Sequence, residues 1–388
     1  MERVPNRVGT GWPRGRLAMC AALVLLLQPA GANASPLPPP MRAMGTSYAL
    51  FGSGFAAKLG KSAPGKAIIM QARSALDRPP GAIAVVHMEG TLPGQGIAAQ
   101  SVAAMRDMQI ILDLALAWRM TRDRAYLAQT QRYLDAWTTT YQISLNPVDE
   151  GGFDKLILGY DLTKASLPAE TRARTDDFLR RMATGYITAM ETKKVAIPPT
   201  LYNNWQSHRI KLATLGAFEI GDSDLIARAH ALFTAHLANN LHADGSTLDF
   251  GQRDALHYVT YSTDSLLLAA LSASAHGQNW YAEQTPKGAS LGKTLEWLAR
   301  FARGDETHIE FAHSVVPFDR QRAAAGGKEY QPHPWNPASA VDTYILAARL
   351  DPQFVTLRDA LIAQALASPD RRESEGDANW MMLLAASK

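Results

Sequence analysis

Apolar residues recur along most of this chain at intervals of three, four and seven, the spacing of helices with one buried face. Residues 101–120 are rich in Ala, Met, Ile and Leu, and the next run sets Leu127, Leu134, Trp137 and Tyr141 on a single stripe. The intervening "TRDR" reads as a turn, so the two segments predict a helical hairpin. Further helices are expected at about 154–163, 168–191, 204–220, 223–240, 253–275, 291–303, 338–350, 352–366 and 377–386, several ending at Gly or before Pro. Steady strand alternation is missing, which argues for an all-α fold. Without a repeat of solenoid period, a closed or incomplete α/α toroid of helical hairpins fits better than an open array.

The N-terminus departs from this pattern. Arg3, Arg7, Arg14 and Arg16 precede the apolar run "LAMCAALVLLL" and the small-residue stretch "AGANAS", the layout of a secretory signal peptide cleaved after Ala34. At 11 residues the run is too short to span a bilayer, and no comparable run follows, so no membrane span is expected. The expected organisation is a signal peptide over 1–34, a leader with a first helix over 35–80, and one catalytic domain over 81–388, periplasmic or secreted. Cys20, the single cysteine, falls in the signal, so the mature chain relies on its core rather than on disulfides. The formal charge of +3 comes from the signal's arginines; the rest is balanced, which gives no support to nucleic-acid binding.

Two polar clusters interrupt the helical pattern. "LYNNWQSHRIKL", just after Pro198 and Pro199, opens a helix. One asparagine of Asn203 and Asn204 would serve as its N-cap, which leaves the other unexplained, with His208 four residues after Asn204 on the same face. In "LDFGQRDALHYVTYSTDSLLLAAL", a helix running from Arg253 would carry His257 and Tyr261 at successive fourth positions, with Tyr258 beside them. Taken separately, such groups usually mean a capped surface helix, an ion pair and core aromatics. Together they suit proton abstraction next to a carboxylate, as in β-elimination from a uronic acid. The carboxylate resists a second negative charge on the adjoining carbon, so amide, imidazole and guanidinium donors must neutralise it while a base meets the carbon 5 proton. Asn, His and Arg can be the donors; a Tyr can be the base and then return the proton to the leaving oxygen. A glycosidase would need two flanking carboxyl groups, and the acids here are limited to Asp249 and Asp254. Neither HExxH nor G-x-S-x-G occurs, and no metal or cofactor is implied.

"NNWQSH" followed by "RDALHYVTY" resembles the alginate lyase-like superfamily of polysaccharide lyases, most closely polysaccharide lyase family 38 of glucuronan and alginate lyases. "HMEGTLPGQG", "HIEFAHSVVPFDRQR" and "HPWNP" are similar to that family too, so the resemblance runs from about His87 to Pro352. It implies an α/α toroid and an acidic polysaccharide substrate. It further implies that Asn204, with Asn203, binds the substrate carboxylate, that His208 and Arg253 help to neutralise it, and that Tyr258 is base and acid. Related alginate lyases often place His directly after the paired Asn; here Trp205 stands there, so the imidazole falls to His208 or His257, and Tyr261 is the alternative base. Trp205 could stack on a sugar or fill the core. His87 and Glu89 could border the sugar groove or form a plain turn. His308, Glu310 and His313 read as a cleft wall or a surface ion-pair network, and His230, His236, His242 and His276 as solvent-facing. In β-linked glucuronate or mannuronate the carbon 5 proton and oxygen 4 leave from one side of the ring, so a single Tyr suffices for a syn elimination. The alternatives are an α/α glycoside hydrolase of acidic sugars and a non-catalytic periplasmic carbohydrate-binding protein.

Overall fold

A computed structural model describes residues 49–51, 59–192, 198–367 and 375–387. The expected signal peptide and most of the leader lie outside the described residues. The described helices are α1 (Ala63–Ser74), α2 (Ala98–Thr121), α3 (Arg124–Thr140), the four-residue α4 (Pro147–Glu150), α5 (Phe153–Thr163), α6 (Ala169–Glu191), α7 (Asn204–Ile220) and α8 (Ser223–Asn240). They continue with α9 (Leu248–Arg253), α10 (Leu256–Ala275), α11 (Leu291–Ala302), α12 (Pro317–Ala324), α13 (Val341–Leu350), α14 (Val355–Ala367) and α15 (Glu375–Ala386). The only strands among the described residues are β1 (Ile309–Glu310) and β2 (His333–Pro334), an antiparallel pair.

The arrangement is an α/α toroid. Helices α2, α5, α7, α10 and α13 pack side by side in that order as the inner series. Outer helices lie against them: α3 on α2 and α5, α6 and α8 on α7, α14 on α13. The C-terminal α15 packs on α13, α1 and α2, and so completes the circuit. Inner helices are covered on most sides, which explains their composition: Ile210 to Phe218 of α7 and Leu266 to Ala273 of α10 are buried almost without interruption. Outer helices keep the one-sided pattern read from the sequence. On α3, Leu134 and Trp137 are fully buried, and the Trp137 ring meets Phe153 edge-on at 5.7 Å while its Nε1 donates to Asp107 at 2.8 Å. α2 and α5 approach closely at Gly159, where an added Cβ would stand 2.7 Å from Ile111 Cγ2.

The segment before α5 is fastened by one carboxylate. Glu150 is buried and accepts from Tyr141 OH at 2.8 Å, Tyr186 OH at 2.5 Å, and both the amide and hydroxyl of Ser144 at 2.5 and 2.9 Å. With so many donors on one carboxylate, the turn at Gly151 and Gly152 has a fixed position.

Candidate active site

α7 starts where the paired asparagines divide their work. Asn203 is the N-cap, its side-chain oxygen accepting from Trp205 N at 3.1 Å. Asn204 is buried and donates its backbone N–H (3.0 Å) and its Nδ2 (2.5 Å) to Asp249 Oδ1, which ties α7 to α9. Asp249 accepts a further donor, Asn240 Nδ2, at 2.9 Å. Burial raises the Asp249 carboxyl above its usual range, and these amides pull it back. Trp205 is half-buried, with the Arg209 guanidinium 5.7 Å from its ring centre.

His208 stands one turn further along α7, buried, its ring centre 4.0 Å from that of Tyr261 on α10. Its Nδ1 lies 3.2 Å from Ser265 Oγ, while Nε2 is buried with no hydrogen-bond partner among the described residues. Burial, and then the Lys211 charge, hold its pKa well below the usual imidazole value, so the ring is neutral. Lys211 is itself buried and paired with Asp154 at 2.6 Å, with a second bond to Gly151 O at 2.9 Å.

The helix expected from Arg253 is broken. α9 ends at Arg253, Asp254 adopts the left-handed region with φ 50°, and α10 begins at Leu256, so Arg253, His257 and Tyr261 do not share one helical face as their spacing predicted. Aspartate tolerates that conformation better than most residues. The kink lays the Arg253 guanidinium over the Tyr258 ring, 4.0 Å from its centre, with its Nη1 paired to the buried Asp319. His257, Tyr258 and Tyr261 still cluster: the His257 ring centre is 5.2 Å from that of Tyr258 and 6.1 Å from that of Tyr261, and the two tyrosines are 6.3 Å apart.

A flap over residues 308–335, carrying β1, α12 and β2, docks on the kink. Phe311 N donates to Asp254 O (2.8 Å) and Val315 N to Gln252 O (2.9 Å). Asp254 Oδ2 accepts from His313 N at 2.8 Å and lies 3.0 Å from His313 Nδ1, while His308 Nε2 donates to the Asp254 carbonyl at 2.9 Å. Glu310 is buried rather than part of a surface network; its Oε1 accepts His257 N at 3.0 Å and so caps α10 from a distance. The flap also brings Arg322 Nη1 to 3.4 Å from the Tyr258 hydroxyl, with the Arg322 guanidinium over Phe318 (4.3 Å) and Tyr330 (4.8 Å).

These surroundings set the titration behaviour. Burial raises the Tyr258 phenol, opposed by the charges of Arg253 and Arg322. Tyr261 is pushed up to about 12, chiefly by burial and then by Asp154. His257 is exposed at the surface, yet desolvation by its neighbours and the Arg253 charge hold it below the usual imidazole value.

His208, Tyr261, His257, Tyr258 and Arg253 thus form one connected group, joined to Asn204 through α7 and through Asp249. His87 and Glu89 belong to a different contact: Asp149 accepts Met88 N at 2.6 Å and Glu89 N at 2.8 Å and lies 3.3 Å from His87 Nδ1. The Asp149 helix adjoins α7, and at the Gly151 turn that follows it an added Cβ would be 3.5 Å from His208 Nδ1. A cavity of about 640 Å³, lined by Met88, Met105, Arg106, Gly152 and Lys155 among others, adjoins the same turn. His236 is buried, not solvent-facing; its Nε2 is 2.8 Å from Ser207 Oγ, and burial pushes it down to about 3. Among the described residues no group of three or more His, Cys, Asp and Glu side chains is arranged to hold a metal ion.

Residues 60–308 match the alginate lyase family. The chain belongs to that family. Its membership supports a polysaccharide lyase activity, and the matched span contains every residue of the Asn204–Tyr261 cluster and ends where the flap begins. Among solved structures, an alginate lyase from Bacteroides ovatus superposes with a TM-score of 0.61 at 16% identity, over 84% of this chain and 97% of that one. An alginate lyase from a Sphingomonas species aligns with a TM-score of 0.49 at 17% identity, over 61% of this chain and 77% of that one. No curated protein sequence matches the chain.

Proposed function

We propose that this member of the alginate lyase family cleaves β-1,4-linked uronate chains, glucuronan or polymannuronate, by syn β-elimination. One observation carries the reading: a buried phenol, Tyr258, lies against the Arg253 guanidinium and within one ring of a neutral imidazole, His208, whose Nε2 has no partner among the described residues. Such a group offers a base and the donors that a uronate carboxylate requires.

In this mechanism the carboxylate of the sugar at the cleavage point binds near the N-terminal end of α7. Asn204 keeps one Nδ2 hydrogen beyond the one given to Asp249, and the helix dipole favours negative charge at that end. His208, being neutral, contributes a hydrogen bond rather than a charge. The Tyr258 phenolate takes the carbon 5 proton, and the C–H electron pair becomes the C4=C5 double bond. The C4–O4 bond breaks, and the phenol hands the proton to O4, which restores the phenolate for the next turnover. Arg253 supports the negative charge on the ring from its face.

The hydrolase alternative gains nothing here, because Asp249 is occupied by Asn204 and Asn240, and Asp254 by the flap. The deciding experiment is ultraviolet absorbance of the conjugated double bond on mixing the protein with glucuronan and, separately, with polymannuronate. Tyr258→Phe is expected to lower the rate by about 10²-fold or more. New reducing ends without absorbance would replace the lyase by a hydrolase, and full activity of Tyr258→Phe would move the base elsewhere.

A further inference from the structure

We infer that Arg322, delivered by the flap, is a positioning residue of the elimination site: it acts through the Tyr258 hydroxyl, orienting that oxygen and favouring its ionised form. The inference rests on Tyr258 being the base. Arg322 lies beyond residues 60–308, the span that matches the family, and the resemblance of "HIEFAHSVVPFDRQR" gives it no role.

The geometry is that of a clamp with two different jaws. Arg253, from α9, faces the π-system of Tyr258, with its Nη1 committed to Asp319. Arg322, from α12, reaches the hydroxyl itself through Nη1. Only the second can fix where the hydroxyl's hydrogen and lone pairs point, because a cation over the ring face leaves the C–O–H torsion free. Arg322 is in turn held between Phe318 and Tyr330, whose rings limit where its guanidinium can sit. The anchor of this jaw is independent of Arg322: Glu310 on the His257 amide, and backbone bonds from Phe311 and Val315 to the kink.

The charges around the phenol point the same way. It faces Arg253 from α9, His257 and Tyr261 from α10, Asp319 and Arg322 from α12, and Tyr330 beyond. Asp319 opposes ionisation but is paired with Arg253 and accepts Ser314 Oγ at 2.6 Å. Arg322 has no carboxylate on it among the described residues, so its charge is available to the phenolate. A buried phenol that must ionise at ordinary pH needs that help.

The test compares wild type, Arg322→Gln, Arg322→Lys and Tyr258→Phe. The Tyr258 ionisation is read directly by ultraviolet difference titration, taking Tyr258→Phe as the blank, and again as the acid-side limb of the pH–rate profile on the polymer that wild type cleaves. Arg322→Gln should move both midpoints to higher pH by about one unit or more, and lower kcat near neutral pH about 10- to 100-fold with a smaller change in KM. Arg322→Lys, which keeps the charge, should bring the midpoint most of the way back. A midpoint unmoved in Arg322→Gln would overturn the inference even if the rate fell, since mere damage to the flap lowers rate without shifting the ionisation. Full activity of Tyr258→Phe would instead remove the base assignment on which the inference rests, and the titration tells these two failures apart.

Discussion

Asn203 and Asn204 look interchangeable in the sequence and are not. Asn203 caps a helix, so Asn203→Ala should cost about 1 kcal/mol of stability and leave the melting transition cooperative. Asn204→Ala removes the side-chain donor from the buried Asp249 and should cost about 1–3 kcal/mol, a difference that chemical denaturation of the two variants would resolve. His208 carries a sharper expectation. Because burial and Lys211 keep its pKa well below the usual value, its ring should show no titration between pH 5 and 8 in an NMR experiment. A His208 resonance that moves through that range would mean the imidazole enters the reaction charged.

At the scale of elements, the flap and the kink depend on each other. Glu310 is pushed up to about 7 by burial, from an ordinary 4.5. A carboxyl whose folded pKa is raised stabilises the fold fully below its unfolded value, and that contribution is lost as pH rises through the folded one. Between pH 4.5 and 7, wild type should therefore lose about 1–3 kcal/mol relative to Glu310→Gln, whose amide oxygen can still accept His257 N. Parallel pH-dependent melts of the two proteins provide the check. The sequence showed the preceding helices well: the expected 204–220 and 223–240 coincide with α7 and α8, because Asn203, Gly221 and Asp222 mark the start and end of α7 and the start of α8. It did not show the break at Asp254, since one residue in the left-handed region leaves no mark on a spacing of four. Nor could it place Arg322, which meets Tyr258 across 64 positions of chain and belongs to a segment of little apolar periodicity. The clustering of His208 with Tyr261 follows from the packing of α7 on α10, so their residue types hinted at chemistry but not at contact.

The toroid as a whole is held shut by its last helix. Leu383 and Leu384 of α15 are fully buried, and the helix packs on α1, α2 and α13. Leu384→Ala should cost about 2–5 kcal/mol, seen as a melting temperature several degrees lower, even though the residue belongs to none of the site's contacts. The candidate site residues lie on α7, α9 and α10, whereas the contacts that close the ring lie on α15.

The way the flap is attached bears on how such proteins can be rebuilt. Several of its fastenings to the kink are backbone amides and carbonyls: Phe311 N to Asp254 O, and Val315 N to Gln252 O, with Trp335 N to His308 O closing the flap on itself. Backbone groups are common to nearly every residue type, so the side chains between those points can be replaced without undoing these bonds. A chimera that exchanges the other residues of 316–332, while keeping these fastenings together with Phe318, Asp319, Arg322 and Tyr330, should therefore keep the flap docked on the kink.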